Sequence, residues 1–298
     1  MEGVGCFNKH VMNQQTIETK CVAIIGMGLI GGSLAIRLRE KGISSEIIGV
    51  DADKDHAAKA IELGLADRML SLQDAVRLSD VVIFAIPVDS MVHLLPVVLD
   101  MAEHQIVVDL GSTKAQLADA VKAHPKRGRY VASHPMWGTE YSGPEAAVSG
   151  AFEKKAVILC DLSDSDADAA EWTRQMFGAI GMHLIEMDAV SHDLHAAYVS
   201  HISHITSFAL ANTVLEKEKE DDAIFELASA GFESTVRLAK SNPAMWVPIF
   251  RQNRENVLDV LNEHISQLRK FKSCLEKENW EYLAELIEGA NKIRRILK

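Results

Sequence analysis

The sequence predicts an α/β fold in which a doubly wound, mostly parallel sheet is followed by an all-α second domain. Two observations carry this prediction. From Lys20 to about Met187, short β-branched runs alternate with amphipathic stretches, as is typical of parallel strands joined by helices. From Ser191 to Lys298 strand signals almost disappear and helical periodicity dominates. The 298 residues suffice for two domains that each bury a core.

The predicted elements alternate in the first half of the chain. Right-handed crossovers place the carboxyl ends of parallel strands, and therefore the ligand crevice, along one edge of the sheet. The predicted strands are Val22–Ile25, Ile47–Val50, Val81–Ile86, Ile106–Asp109, Tyr130–Ala132, Ala156–Cys160 and His183–Glu186. The predicted helices include a first one from Leu34, then His56–Leu63, Met91–Met101, Lys114–Ala123, His192–Leu215, Ala223–Ala239, Trp246–Glu276 and Trp280–Leu297.

A glycine-rich turn follows the first strand. Gly26, Gly28 and Gly31 have the spacing G-x-G-x-x-G, the dinucleotide fingerprint of a Rossmann-type domain. The first glycine allows a tight turn, the second lets the backbone approach a pyrophosphate, and the third lets helix and strand pack closely. Leu29 and Ile30 lie between them and are predicted to line the same cofactor site. The N–H groups of the helix N-terminus suit the phosphates.

The second predicted strand ends in Asp51, twenty residues after Gly31. A carboxylate there can accept a hydrogen bond from a ribose 2′-OH and repels a 2′-phosphate, so the cofactor is predicted to be NAD rather than NADP. Pro87, at the end of the third predicted strand, is expected to lie beside this cofactor. The alternative is an ordinary βαβ unit in which Asp51 is a solvated turn acid.

Two later strand ends carry polar residues that suit catalysis. Ser112 and Thr113 follow the fourth strand, where either of them is expected to cap the next helix, to act in the site, or both. His134 lies at the end of the fifth strand and is followed by a loop rich in glycine and proline. A histidine can accept a proton as a hydride leaves, so we interpret His134 as functional rather than structural.

The helical half opens with four histidines and later contains an arginine among apolar residues. His192 and His195, and His201 and His204, are each three residues apart, but no acidic or cysteine partner has zincin spacing, so no metal site is predicted. We expect one or two of these histidines to face the crevice. Arg237 lies among apolar residues, where it either extends its head to solvent or binds a carboxylate.

Composition limits the classes of partner and compartment. The formal net charge is −11 without a basic block, which argues against nucleic acid and anionic membranes as partners. The four cysteines are scattered, which argues against a zinc ribbon or a disulfide framework and favours a reducing cytoplasm. No apolar run is long enough to span a membrane or to serve as a signal peptide.

The predicted division is an N-terminal extension over residues 1–19, an NAD-binding domain over 20–187 and a helical substrate and dimerisation domain over 188–298. A helical domain of about a hundred residues cannot easily bury long apolar faces alone. We therefore expect a homodimer formed through the helical half.

Taken together, the motifs resemble those of the prephenate dehydrogenase family across about residues 20–275. Their order and spacing are far more specific than the glycine turn alone. The resemblance implies a Rossmann domain followed by a helical dimerisation domain, and NAD-dependent oxidative decarboxylation of prephenate in tyrosine biosynthesis. The segments that carry it are Gly26–Ser33, Asp109–Lys114, His134–Glu140, Ser200–His204, Gly231–Ala239, Pro243–Trp246 and Asn253–Asn256.

The resemblance also implies roles for individual residues. His134 matches the histidine that hydrogen-bonds the C4 hydroxyl of the substrate and assists its deprotonation, and Ser112 matches a serine between that histidine and the nicotinamide. Arg237 matches the arginine that binds a substrate carboxylate. The remaining matches border or line the substrate pocket: Glu140, Ser200, His204, Met245 and Trp246.

Three alternatives stay open on the sequence alone. Arogenate dehydrogenase differs only in an amino group on the substrate side chain. A β-hydroxyacid dehydrogenase shares the two-domain plan but is expected to place a catalytic lysine in the helical half, where Lys217, Lys219 and Lys240 lack a convincing context. A non-enzymatic NAD-binding module needs no proton acceptor, so His134 counts against it.

Overall fold

The computed structural model describes residues 17–219 and 224–296. Most of the predicted extension over 1–19 therefore lies outside the described residues, as do the predicted helix boundaries at Ala223 and Leu297. Within the described ranges, no helix is both long and apolar enough to cross a membrane.

The described chain contains eight strands and twelve α-helices. The strands are β1 Lys20–Ile25, β2 Ser44–Val50, β3 Arg68–Met69, β4 Val81–Phe84, β5 Ile106–Asp109, β6 Tyr130–Pro135, β7 Ala156–Cys160 and β8 His183–Met187. The first seven helices are α1 Leu29–Glu40, α2 Lys54–Glu62, α3 Leu72–Leu78, α4 Val88–Met101, α5 Ala115–Val121, α6 Ala167–Ala179 and α7 Ala189–Ala196. The others are α8 Ile202–Glu218, α9 Ala230–Val236, α10 Pro243–Gln252, α11 Arg254–Glu276 and α12 Trp280–Asn291.

Shorter helical segments connect these elements. A π-helical segment, Ala197–His201, joins α7 to α8. Short 3-10 turns lie at Arg127–Arg129, Pro144–Ala146, Leu162–Asp164, Phe225–Leu227, Arg237–Lys240 and Lys292–Arg295.

All eight strands form one sheet in the order β3-β2-β1-β4-β5-β6-β7-β8. Every neighbouring pair is parallel except β6 and β7, which pair antiparallel, with His134 opposite Ile158. The predicted doubly wound, mostly parallel sheet followed by helices is confirmed. Because β4, β1, β5 and β6 run in one direction, the glycine turn after β1 and His134 near the end of β6 lie at the same edge of the sheet.

The sheet is buried on both faces because side chains alternate along each strand. Val22 and Ile24 of β1 belong to the apolar layer that packs against α1 and α6. Ala23 and Ile25 belong to the opposite layer, which packs against α4 and α5. Because both faces are covered, the central strands are short, continuous apolar runs, which is why they could be predicted from the sequence.

Several predicted elements differ from the structure. The two-residue strand β3 is too short to be recognised in the sequence and was missed. The described part of the predicted helix Ala223–Ala239 is not one helix, because 3-10 turns at Phe225–Leu227 and Arg237–Lys240 lie on either side of α9. Strand β4 ends at Phe84, not Ile86, and α1 begins at Leu29, not Leu34. The predicted helix Trp246–Glu276 is two helices, because the chain leaves helical geometry at Asn253, with φ −105° and ψ 28°.

The helical half buries little apolar surface within one chain. Its apolar clusters are small: Trp246 and Ile249 pack on Val88 of α4, while Ala197 packs on Val257 and Val260 of α11. Helices α9 and α12 contain no buried residue. Large apolar side chains are exposed here, for example Val199, Val247, Leu275, Trp280 and Ile287.

Candidate active site

The turn after β1 requires glycine for two different reasons. Gly26 has φ +97°, and a Cβ at this position would lie 2.5 Å from the carbonyl oxygen of Ala85. A Cβ on Gly31 would lie 1.9 Å from the carbonyl oxygen of Gly26, so only glycine lets α1 begin this close to the strand end. Position 28 is open, because the one atom within 4 Å of a Cβ there is the amide nitrogen of Gly143 at 4.0 Å.

The N-terminus of α1 is suited to bind an anion. Its first turn, which contains Leu29 and Ile30, carries no acidic residue, and Gly28 has no side chain to cap it. The first N–H groups of the helix are therefore left for a ligand or water. Leu29 is buried and Ile30 is partly buried against the apolar core, so both contribute apolar support and backbone N–H groups.

Asp51 is held beside the glycine turn by two backbone hydrogen bonds. Its carboxylate accepts the N–H of Met27 at 2.9 Å and the N–H of Asp53 at 2.9 Å, one on each oxygen. Each carboxylate oxygen has a second lone pair, so Asp51 can still accept a ligand hydroxyl. Pro87 lies exposed at the N-cap of α4, after the neighbouring strand β4.

A buried polar network lies beneath the carboxyl ends of β5 and β6. The Lys114 ammonium contacts the Asp109 carboxylate and donates to the carbonyl oxygen of Ser133 at 2.6 Å, and both charged side chains are almost fully buried. Asp109 also accepts the Tyr130 hydroxyl at 2.6 Å and the Gly111 N–H at 2.7 Å. Burial, followed by the charge of Asp109, raises the pKa of Tyr130 well above its ordinary value. The network fixes the two strand ends that carry the predicted catalytic residues.

His134 is part of a hydrogen-bonded chain that crosses between the two halves of the protein. Its Nδ1 lies 2.8 Å from Nε2 of His192, and Nδ1 of His192 lies 2.8 Å from Oδ1 of Asp193. All three side chains are buried, with 9%, 2% and 3% of their surfaces exposed. Burial lowers the pKa of His134 well below its ordinary value, and the neighbouring His192, Lys114 and His201 lower it further. His134 is therefore neutral near pH 7 and able to accept a proton.

The N-terminus of α5 is capped by the same aspartate, not by a local residue. Asp193 accepts the N–H of Lys114 at 2.8 Å and the N–H of Ala115 at 3.0 Å. The expectation that Ser112 or Thr113 caps this helix was therefore wrong, because a carboxylate from α7 occupies the cap. The Thr113 hydroxyl instead donates to Gln252 of α10 at 2.6 Å. The Ser112 hydroxyl makes no hydrogen bond to any residue within 17–219 or 224–296 and is partly exposed.

Histidines and aromatic rings form the helical side of the site. The His204 ring stacks on Trp246 with centroids 3.4 Å apart, and the buried His201 ring meets Trp246 edge-on at 6.0 Å. Burial lowers the pKa of His201 to about 4 and also lowers the pKa of His204. Trp246 is 6% exposed, and its Nε1 has no hydrogen-bond partner in the described part of the chain. A buried unpaired donor of this kind is suited to a ligand or a water.

Backbone irregularities position these rings. The π-helical segment contains Ser200 and His201, and such segments are frequent at functional sites. The carbonyl oxygen of Ser200 lies 3.0 Å from Nδ1 of His204, while its hydroxyl makes no hydrogen bond to the described residues. Asn253, at the break between α10 and α11, donates to the carbonyl oxygen of Asp193 at 2.6 Å and lies 3.2 Å from Nδ1 of His201. The helix break thus connects α11 to the histidine chain.

A second contact joins the two halves through charge. Nη1 of Arg237 lies 3.6 Å from Oε2 of Glu140, which belongs to the loop after β6. Arg237 follows α9 in a 3-10 turn, and its side chain is 53% exposed. Its guanidinium is therefore accessible to an anion. Met245 lies next to Trp246 and is 40% exposed.

The four histidines at the start of the helical half differ in burial. His192 and His201 are buried and contact other site residues, His204 is partly buried, and His195 is exposed. Among residues 17–219 and 224–296, no group of three or more His, Cys, Asp or Glu side chains is arranged to hold a metal ion.

The structure brings His134 together with residues that the sequence did not assign to the site. His192 was noted only as one of four histidines, and Asp193, Lys114 and Asp109 were not assigned a role. The signal that could have indicated Asp193 is the pair His192-Asp193 in the first helix of the second half. Its partners are 58 to 79 residues away in sequence, which is why local patterns do not reveal them.

Two family models match the chain. The model described as "Prephenate dehydrogenase, nucleotide-binding domain" matches residues 34–186, and the model described as "Prephenate dehydrogenase, dimerization domain" matches residues 188–289. Together they cover the sheet domain from within α1 to β8 and most of the helical half.

Individual relatives agree with the family models. The chain is 32% identical to prephenate dehydrogenase of Bacillus subtilis over 277 residues, which is 92% of this chain and 75% of that protein. It is 30% identical to cyclohexadienyl dehydrogenase of Zymomonas mobilis, over 94% of this chain and 96% of that protein. Among solved structures, prephenate dehydrogenase of A. aeolicus in complex with hydroxyphenyl propionate and NAD+ superposes with a TM-score of 0.83 at 28% identity, covering 96% of this chain and 100% of that one.

Proposed function

Because the chain belongs to the prephenate dehydrogenase family, we propose that it catalyses the NAD-dependent oxidative decarboxylation of prephenate to 4-hydroxyphenylpyruvate in tyrosine biosynthesis. The observation that carries the proposal is the placement of a buried neutral histidine, His134, at the same edge of the sheet as the open glycine turn. An oxidation of an alcohol needs both a cofactor site and a proton acceptor at one edge.

The residues of the glycine turn fit NAD. Gly28 leaves space at the uncapped N-terminus of α1, where Gly26, Leu29, Ile30 and Gly31 complete the turn. Asp51 would accept the ribose hydroxyl, and Pro87 would border the nicotinamide half. When bound, NAD accepts the hydride that leaves C4 of the substrate.

The protein supplies proton transfer and orientation. His134 takes the proton of the C4 hydroxyl, and loss of the ring carboxylate as CO₂ completes an aromatic ring. Ser112, whose hydroxyl makes no hydrogen bond to the described residues, would lie beside His134 and the nicotinamide. Arg237 meets a substrate carboxylate with a guanidinium that Glu140 orients.

The substrate pocket extends into the helical half. The stacked pair His204 and Trp246 offers an aromatic wall, and the unpaired Trp246 Nε1 offers a donor to a polar substrate group. Ser200 and Met245 flank these rings in sequence and are proposed to line the same pocket. Burial of Trp246 and its ring contact with His204 support this wall.

We also propose a homodimer in the cytoplasm, with domains at 20–187 and 188–298. Exposed apolar side chains on the helical half, such as Leu275, Trp280 and Ile287, favour a second copy as their cover. The matched dimerization model supports the same arrangement.

The test is NADH formation with prephenate and with arogenate, using NAD and NADP in turn. We expect prephenate with NAD to be the preferred pair. Turnover with arogenate alone would show that arogenate is the substrate of the same oxidative decarboxylation. No turnover with either compound would refute the proposal.

Two substitutions assign the roles. His134→Asn should lower kcat by about 10²- to 10⁴-fold while NAD binding persists, as expected for loss of a general base. The matched control is His195→Asn, on the exposed part of α7, which should leave kcat unchanged. Arg237→Gln should mainly raise the KM for prephenate, with Lys240→Gln of the same 3-10 turn as its control. Full turnover in His134→Asn would show that another group accepts the proton.

A further inference from the structure

We propose that His192 and Asp193 are positioning residues that hold His134 in the tautomer with a bare Nε2, so that Nε2 is the atom that accepts the hydroxyl proton. The inference rests on the proposed function for the identity of the proton donor. It goes further in assigning a role to two residues of the helical half and an atom to the base.

The hydrogen-bond directions follow from the chemistry of the three side chains. An ionised carboxylate only accepts, so the 2.8 Å contact of Asp193 Oδ1 requires a proton on Nδ1 of His192. A neutral His192 then has an unprotonated Nε2, which must accept. The 2.8 Å contact to His134 therefore requires a proton on Nδ1 of His134 and leaves its Nε2 bare.

The alternative is a cationic His192 that donates on both sides, and the surroundings disfavour it. His192 is 2% exposed, and an added cation would share this buried region with the ammonium of Lys114. The Asp193 carboxylate, which would have to balance that cation, already accepts two backbone N–H groups of α5. With both histidines neutral, each of the two 2.8 Å contacts has one donor and one acceptor, and no further charge is buried.

Asp193 is held firmly in place at the end of the hydrogen-bonded series that runs from His134 through His192. Its side chain is held by Lys114 and Ala115 N–H, and its backbone oxygen accepts from Asn253 Nδ2 at 2.6 Å. The carboxylate thus ties the loop after β5, the helix α7 and the start of α11 to one point. For this reason Asp193, rather than His134, determines the donor and acceptor directions of the hydrogen bonds that join Asp193, His192 and His134.

In the proposed arrangement an aspartate sets the tautomer of a histidine, as in the Asp-His pair of serine proteases, which have a different fold. There an Asp→Asn substitution keeps the geometry but selects the wrong histidine tautomer, at a cost of about 10⁴ in kcat. In this protein Oδ1 of Asp193 accepts from both His192 Nδ1 and the N–H of Lys114, so an asparagine would keep its amide oxygen at that position and would not reverse the hydrogen bonds. Asp193→Ala instead removes the acceptor that holds the proton of His192 on Nδ1. His192 would then donate from Nε2, and His134 would carry its proton on Nε2, where it cannot act as base.

The first experiment measures the tautomer of His134 in the wild-type protein. Nitrogen-15 NMR of the imidazoles in the full-length enzyme with NAD at pH 7.5 should show His134 protonated at Nδ1 and unprotonated at Nε2. The His134 signals are assigned by their loss in His134→Asn. A proton on Nε2 of His134 in the wild-type protein would overturn the inference, whether or not prephenate is the substrate.

The second experiment measures turnover and tautomer together. We expect Asp193→Ala and His192→Asn to lower kcat by about 10²- to 10⁴-fold. The KM for NAD should change less than about threefold, and in Asp193→Ala the proton of His134 should move to Nε2. The control is Asp259→Ala, at an exposed aspartate of α11, which should match wild type in every readout.

The outcomes separate the two proposals. Loss of turnover in Asp193→Ala with an unchanged His134 tautomer would mean that the carboxylate only supports the fold, and would overturn the inference. Wild-type protein that shows the predicted tautomer but oxidises neither prephenate nor arogenate would refute the proposed function alone. Turnover of prephenate together with full activity of Asp193→Ala would refute this inference alone.

Discussion

Removal of the buried ammonium of Lys114 should be among the most damaging single changes to the stability of this protein. Lys114→Met keeps most of the aliphatic stem but deletes the contact with Asp109 and the 2.6 Å hydrogen bond to the Ser133 carbonyl. The side chains of Lys114 and Asp109 are 0% and 1% exposed, so water cannot replace the lost partner. The Asp109 carboxylate would remain buried with only neutral donors.

The magnitude follows from the two lost contacts. A hydrogen bond that involves a charged group contributes about 1.5 to 3 kcal/mol, so two of them give about 3 to 6 kcal/mol. Breaking one side of a buried ion pair costs about 3 to 5 kcal/mol in measured cases. We therefore expect the free energy of unfolding to fall by about 3 to 5 kcal/mol.

The assay is urea unfolding at pH 7.5, followed by circular dichroism at one fixed protomer concentration. Lys122→Met, an exposed lysine just after α5, is the matched control and should change the free energy of unfolding by less than about 0.5 kcal/mol. The double variant Asp109→Asn, Lys114→Met should lose less than the sum of its single variants, because it leaves no unpaired charge. A loss below about 1 kcal/mol in Lys114→Met would refute the reasoning.

Two further predictions concern the turn and the buried histidine. Gly31→Ala should reduce stability by about 1 to 3 kcal/mol and weaken NAD binding, since its Cβ would lie 1.9 Å from the Gly26 oxygen. Gly289→Ala, in open space on α12, is its control in urea unfolding, and equal stability of the two variants would contradict the argument. His201 binds its proton with a pKa of about 4 when folded and about 6.5 when unfolded, so the unfolded chain binds more protons between these values and stability falls as pH falls. Between pH 7.5 and 5 this should cost about 2 kcal/mol, and His201→Gln should flatten the pH dependence; equal slopes would exclude His201 as the cause.

Local patterns were sufficient to predict the sheet and the cofactor edge. The continuous apolar runs of β1 and its neighbours and the spacing of Gly26, Gly28 and Gly31 are properties of short stretches of chain. At Gly31 the constraint is backbone sterics within a few residues, as the 1.9 Å approach to the Gly26 oxygen shows. The same sheet contains a reversed strand, β7, which no period distinguishes from a parallel one.

Local sequence context was also enough to predict that His134 and Arg237 belong to the site, but it did not reveal which residues they contact. Arg237 pairs with Glu140, and the helix break at Asn253 exists where its side chain reaches Asp193 and His201. These contacts join residues 52 to 97 positions apart, as the numbering of each pair shows. A helical period predicts one continuous helix through Asn253 because it contains no information about a distant partner.

By itself, the sequence determined the order of strands and helices, the glycine turn and the residue types at the strand ends, because these depend on neighbours along the chain. Only the tertiary structure decided that Asp193, rather than Ser112 or Thr113, caps α5 and that His192 lies between this carboxylate and His134. Burial decides this, since a polar group removed from water must find a partner wherever packing provides one.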